Sequence, residues 1–254
     1  MSATASALLL VGTGLLVLAL GWGTRLPPRA PVPDAEGYLT RWQRLHDGYD
    51  PRPNPWLRGW LLLAFRCARP LARRGVRPDV VTLGTIWLAL AVFVPAQAGG
   101  RWPILAGWLL VASGLGDTMD GAVAALTDTA TRWGYVLDSA VDRVNDVIYL
   151  VAVWSVGAPA WLAVTTGALF SMMEYLRVRA SNAGAGDVVA VTVGERATRV
   201  ICCAVALVFG GLFTAYSGRI ATLVMALLGA LSLVALAQVI MAARRLLADR
   251  PYPG

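Results

Sequence analysis

Residues 117–142 read D-T-M-D-G-A-V-A-A-L-T-D-T-A-T-R-W-G-Y-V-L-D-S-A-V-D. The stretch lies in a chain that is 57% hydrophobic and 15% charged, whereas an ordinary soluble domain carries about 25% charged residues. The mean hydropathy is +0.61, the balance of a polytopic membrane protein. Yet six of the 15 acidic residues fall in one short region: Asp117, Asp120, Asp128, Asp138, Asp142 and Asp146. Five of these lie in what otherwise reads as membrane span. An ionised carboxylate inside a bilayer is costly and marks function. The competing explanation is a set of Asp–Arg pairs tying helices together. Arg132 and Arg143 supply too few cations for that.

Spacing carries the reading further. Asp117 and Asp120 are three residues apart, and Asp138, Asp142 and Asp146 follow at intervals of four, so each set shares one helix face. The two helices are consecutive, joined by a short turn around Thr127 to Trp133. Antiparallel packing brings the faces together near one membrane surface. Carboxylates converging there repel one another unless divalent cations sit between them, and oxygen-only ligands select hard ions such as Mg²⁺ or Mn²⁺. Gly114, Gly116, Gly121, Ala124, Ala125 and Gly134 keep the surroundings small, which allows close helix approach or leaves room for a flat ligand. Two metals on carboxylates clamp a diphosphate, and a further carboxylate takes a proton from an incoming hydroxyl. The chemistry is substitution at a diphosphate, with the diphosphate unnamed.

Outward from this region, six spans are expected at 79–98, 103–126, 134–156, 158–180, 195–215 and 219–243. An uncharged stretch at 3–22 is long enough to add a seventh. It is read as a retained helix, because no basic residue precedes it and no small-x-small cleavage site is evident. The expected divisions are an N-terminal transmembrane helix (1–24), a cytoplasmic connector (25–53), a transmembrane domain (54–246) and a cytoplasmic tail (247–254). Within 54–77, Trp56, Trp60, Leu61 and Phe65 alternate with Arg58, Arg66, Arg69 and Arg73, which predicts an amphipathic helix at the membrane surface, with Pro70 kinking or ending it.

All 22 basic residues are Arg, and the formal net charge is +7. With the N-terminus outside, only Arg101 and Arg219 fall on the outer side, in accord with the positive-inside rule. The expected location is the cell inner or plasma membrane, multi-pass, with the carboxylates facing the cytoplasm. The Arg residues flank apolar spans, so the basic partner is an anionic lipid surface rather than nucleic acid. Cys67, Cys202, Cys203 and the single His46 form no pattern of a zinc site or disulfide framework.

These residues resemble the CDP-alcohol phosphatidyltransferase signature D-x-x-D-G-x-x-A-R-x8-G-x3-D-x3-D. Asp117, Asp120, Gly121, Ala124, Gly134, Asp138 and Asp142 match at the required spacing; Ala125 stands where the signature has Arg. The resemblance implies an all-α fold: a six-helix core, to which the first span and an interfacial helix are added here. It implies a homodimer, a two-metal site of Mg²⁺ or Mn²⁺ on Asp117, Asp120, Asp138 and Asp142, and Asp142 as the general base. Thr82, Asp117, Asp120, Gly121 and Ala124 would meet the nucleotide end of CDP-diacylglycerol, and Arg132 is near enough in sequence to replace the missing Arg. Arg77-Pro78-Asp79-Val80-Val81-Thr82 resembles the family's P-N-x-x-T entry, with Asp79 in place of Asn.

The runs Y-L-R-V-R-A (175–180) and E-R-A-T-R (195–199) resemble those of bacterial phosphatidylinositol-phosphate synthases. Arg177, Arg196 and Arg199 are therefore candidates for an acceptor phosphate, against the alternative of simple positive-inside anchoring. A polyol or polyol-phosphate acceptor is expected, inositol phosphate before glycerol phosphate. Three rivals remain. A membrane prenyltransferase predicts two well-separated Asp motifs, and an intramembrane metal transporter predicts carboxylates at mid-membrane. A non-catalytic relative that binds nucleotide-lipid is suggested by Ala125.

Overall fold

The computed structural model describes residues 31–46, 48–186 and 192–248, together with positions 12, 14, 16 and 19. Apart from those four positions, the expected first span at 3–22 lies outside the described residues, as does the tail from 249 onward. The elements are all helical: α1 (Ala35–Leu45), α2 (Pro55–Arg73), α3 (Pro78–Gln97), α4 (Pro103–Thr127), α5 (Arg132–Ser155), α6 (Ala160–Ala180), α7 (Arg196–Leu212) and α8 (Ser217–Leu247). A π-helical turn at Ser181–Ala185 follows α6, and a 3₁₀ turn at Thr214–Tyr216 precedes α8. The helices α3 to α8 coincide with the six expected spans to within a few residues. Among the described residues, three stretches are long and apolar enough by themselves to cross a membrane: Pro78–Gln97, Pro103–Thr127 and Thr214–Leu247. Charged residues interrupt α5, α6 and α7: α5 holds Asp138, Asp142, Arg143 and Asp146, α6 holds Glu174, Arg177 and Arg179, and α7 holds Arg196 and Arg199.

The chain forms two compact units. One comprises Met1–Val94 and Val111–Asn145, the other Pro95–Leu110 and Asp146–Gly254.

In the first unit, the segment read as a connector contains α1. Its Asp34 cap accepts a hydrogen bond from the Gly37 amide at 2.9 Å, satisfying one of the unpaired first-turn donors. Tyr38, Leu39 and Trp42 recur at helical spacing, and the first two are fully buried. Burial pushes the Tyr38 hydroxyl above its ordinary pKa. The exit from α1 is held by Arg52, whose guanidinium reaches Glu36 at 3.1 Å and Asp50 at 2.9 Å. The Arg52 amide, and then its guanidinium, hold Asp50 below the usual carboxylate range.

Next, α2 starts at Pro55 under an Asn54 cap that accepts from the Trp56 and Leu57 amides at 3.1 Å. It is amphipathic as expected: Leu61, Ala64, Phe65, Ala68 and Ala72 are buried, while Arg58, Arg66 and Arg73 are exposed. The helix runs on past Pro70 to Arg73. Its apolar face meets α1 and the last turns of α4, where Ala122, Val123, Ala125 and Leu126 complete one apolar cluster. A buried polar ladder then joins α3, α4 and α5. Asn145 donates to Thr85 Oγ1 at 2.9 Å, and Ser113 donates to the Thr85 carbonyl at 3.1 Å. Gly116 permits this approach, since a Cβ there would meet Thr85 Cγ2 at 3.3 Å.

The second unit is built mainly on α6 and α8. Met173 packs on Ala235 and Val239, and Gly229 allows close passage, since its Cβ would lie 2.9 Å from Thr166 Oγ1.

Candidate active site

Asp117 and Asp120 sit one helical turn apart on α4, and Asp138 lies in the second turn of α5. The turn between these helices is short and closely bonded. Thr131 caps α5 by accepting from the Gly134 amide at 2.9 Å, and the Thr129 amide reaches back to the Ala124 carbonyl at 3.0 Å. Folding therefore converts sequence spacing into convergence: one carboxylate oxygen from each of Asp117, Asp120 and Asp138 lies within 4.8 Å of the other two.

That spacing suits a hard divalent cation. Mg²⁺-type ions hold oxygens at about 2.0–2.1 Å in octahedral array, which places ligand oxygens roughly 3–4 Å from each other. The three carboxylates need close only slightly to meet one ion. Asp120 is the buried member, and Asp117 and Asp138 are half-buried, so unscreened repulsion in a low-dielectric site is the alternative to a cation. The donor set is all oxygen, which excludes a soft-metal preference.

Thr82 enters from α3. It is 3% exposed, and its hydroxyl donates to Asp120 Oδ2 at 2.6 Å. The residue expected beside the nucleotide thus faces a carboxylate of the cluster. Gly121 is exposed, and no atom lies within 4 Å of where its Cβ would be. That glycine is not required by packing; it leaves an open surface beside Asp120. Ala124 lies one turn further on, half-buried. Asp142 lies on α5, half-buried, one turn beyond Asp138 and outside the group of three. Arg132 is exposed at the start of α5.

The three candidate acceptor arginines belong to the second unit. Arg177 bonds Glu195 at 2.9 Å and approaches Glu174 at 3.5 Å. The Arg199 side chain is 3% exposed and bonds Asp146 at 2.7 Å and Glu174 at 2.9 Å. It also lies over the Phe170 ring at 5.1 Å. Arg196 is half-buried at the start of α7. The Asp146–Arg199 pair was missed in the sequence, where only Arg132 and Arg143 were weighed as counterions. The available signal was an arginine placed one turn into an apolar helix, where it needs an anionic partner from another element.

The chain is similar to known proteins. The family model for CDP-alcohol phosphatidyltransferases matches residues 76–248. The archaetidylinositol phosphate synthase of Methanothermobacter thermautotrophicus is 33% identical over 177 residues, which span 65% of this chain and 88% of that protein. The phosphatidylinositol phosphate synthase of Cutibacterium acnes is 31% identical over 160 residues, spanning 61% of this chain and 76% of that protein. Among solved structures, the phosphatidylinositol phosphate synthase of Mycobacterium tuberculosis, crystallised with manganese and citrate, superposes with a TM-score of 0.58. The match covers 75% of this chain and 90% of that one at 20% identity, a likeness of fold.

Proposed function

Because the chain belongs to the CDP-alcohol phosphatidyltransferase family, we propose that it transfers the phosphatidyl group of CDP-diacylglycerol to a phosphorylated polyol, with inositol phosphate as the first candidate. It is a transferase of phospholipid biosynthesis. The observation that carries the finer reading is the convergence of Asp117, Asp120 and Asp138 to within 4.8 Å beside the open surface at Gly121. The acceptor class is supported by the relatives' names and by the guanidinium-rich runs at 175–180 and 195–199.

Asp117, Asp120 and Asp138 would hold Mg²⁺ or Mn²⁺, with Asp142 shared by a second ion. Bound there, the ions would neutralise charge on the diphosphate as it separates. Thr82 keeps Asp120 oriented toward the cluster. Gly121 and Ala124 leave room for the cytidine diphosphate. Asp142 takes the proton of the acceptor hydroxyl. That oxygen bonds to the lipid-bearing phosphorus, the bond to the bridging oxygen breaks, and CMP departs with the electron pair. Arg177 and Arg196 bind the acceptor phosphate. Arg199, held by two carboxylates, orients Glu174 and through it Arg177. The working form is a homodimer in the inner or plasma membrane, N-terminus outside and carboxylates cytoplasmic, with α2 lying at the anionic lipid surface.

The test uses purified protein with CDP-diacylglycerol, Mn²⁺ or Mg²⁺, and a panel of free and phosphorylated polyols. CMP release dependent on inositol phosphate is expected. No CMP with any acceptor, together with unchanged nucleotide binding in Asp138→Ala, would sink the reading.

A further inference from the structure

Helix α1 lies outside residues 76–248, the part of the chain matched by the family, yet it is joined to the helix that bears Asp117 and Asp120. Tyr38 and Leu39 share one apolar cluster with Ala122, Val123, Ala125 and Leu126 of α4. From the same helix, Arg41 Nη1 donates to the Ala125 carbonyl at 3.2 Å and to the Leu126 carbonyl at 3.0 Å. Its Nη2 reaches the Pro31 carbonyl at 3.4 Å. Carbonyls in the last turn of a helix have no partner further along the helix, and the negative end of the helix dipole gathers there. A guanidinium on two of them satisfies both demands.

The position of this cap gives it consequence. Four residues separate Thr127, the end of α4, from Arg132, the start of α5. The geometry of that turn sets how Asp117 and Asp120 stand against Asp138. Within the turn, Asp128 takes a left-handed φ of 57°, a conformation that aspartate adopts more readily than most non-glycine residues. Thr127 and Thr129 share a hydroxyl hydrogen bond at 2.7 Å; Arg41 braces the same turn from another helix.

Ala125 fits the same arrangement. The signature places an Arg at this position, but here the residue is an alanine, 3% exposed, in the apolar cluster shared with α1 and α2. The guanidinium arrives from α1 instead, on the carbonyl of that same residue.

We propose that α1 is part of the catalytic unit and that Arg41 is a positioning residue, bracing the α4–α5 turn and thereby the spacing of Asp117 and Asp120 from Asp138. This rests on the reading of those carboxylates as a cation site. The test compares full-length wild type with Arg41→Gln, Arg41→Lys and the control Arg44→Gln, which alters an exposed arginine of the same helix. Two quantities are measured: Mn²⁺ binding by electron paramagnetic resonance, and the Mn²⁺ concentration giving half-maximal CMP release. Loss of a group that orients metal ligands weakens metal affinity by about 10–100-fold, and Arg41→Gln should fall at the lower end of that range. Arg41→Lys should lie between it and wild type, and Arg44→Gln should match wild type. Reversible unfolding raises apparent half-saturation in inverse proportion to the folded fraction, so thermal unfolding in detergent is measured for each variant and half-saturation is compared at a temperature where all of them are folded. Half-saturation within twofold of wild type in Arg41→Gln or, where that variant does not fold, in Arg41→Lys overturns the proposal. Absence of Mn²⁺ binding in wild type overturns the cation-site reading beneath it, a result distinct from wild-type binding that is insensitive to Arg41.

Discussion

Replacing Thr82 by Val tests how the cluster is held in place. The Thr82 hydroxyl has one proton and two acceptors in reach, the Pro78 carbonyl at 3.1 Å and Asp120 Oδ2 at 2.6 Å. The shorter bond, to a carboxylate, takes the proton. Valine keeps the shape of the side chain and removes the donor. A hydrogen bond to a charged group contributes about 1.5–3 kcal/mol. At about 1.4 kcal/mol per factor of ten, that predicts a loss of roughly 10–100-fold in Mn²⁺ affinity, the range seen when a metal ligand loses its orienting partner. The assay is a Mn²⁺ titration followed both by paramagnetic resonance and by CMP release at saturating CDP-diacylglycerol. The expected result is a right-shifted Mn²⁺ curve with the donor KM changed little. A Mn²⁺ curve within twofold of wild type, with the donor KM raised instead, would refute the reasoning and return Thr82 to the nucleotide.

Two further outcomes follow from the same geometry. Arg199→Ala removes the guanidinium that bonds the buried Asp146 at 2.7 Å, and breaking a buried ion pair costs about 3–5 kcal/mol. In thermal unfolding in detergent, at about 2–4 °C per kcal/mol for a chain of this size, the midpoint should fall by roughly 6–20 °C, and Asp146→Asn should cost less in the Arg199→Ala background than in wild type; strictly additive losses would show the pair is not coupled. Gly121→Val meets no atom in the folded chain, so the unfolding midpoint should hold while the donor KM rises about tenfold or more, the equivalent of one lost contact of about 1.4 kcal/mol; an unchanged KM would show that the donor does not use this surface.

The parts of the fold that were legible in the sequence share a cause. Apolar length located α3, α4 and α8, because the bilayer imposes a minimum run of apolar residues, and apolar runs interrupted by charged residues located α5, α6 and α7. The intervals between Asp117, Asp120 and Asp138 located the cluster, because helix periodicity and one short turn leave few ways to arrange them. α1 was obscured for the opposite reason. Its apolar stripe is short, just Tyr38, Leu39 and Trp42, and is set among charged residues and prolines. Such a helix gains its stability from the surface it covers, which lies more than 80 residues further along the chain in α4. The same dependence on distant partners hid the Asp146–Arg199 pair. Asp146 continues the four-residue rhythm of Asp138 and Asp142, but its place in the fold is set by an arginine on α7. Periodicity ranks residues on one helix; it does not say which other helix supplies the counterion.

The most direct test sets Asp138→Asn beside Asp142→Asn, because each keeps the side-chain volume and removes one charge. Mn²⁺ binding by paramagnetic resonance and CMP release are measured on the same preparations. Asp138, within the group of three oxygens that lie inside 4.8 Å, should lose Mn²⁺ binding and turnover together. Asp142, one turn beyond it, should keep the Mn²⁺ held by the group of three, weaken only the binding of the second ion, and lose turnover, as expected of a base that accepts the hydroxyl proton. Retention of full Mn²⁺ affinity in Asp138→Asn, or undiminished CMP release in both variants, would contradict the account.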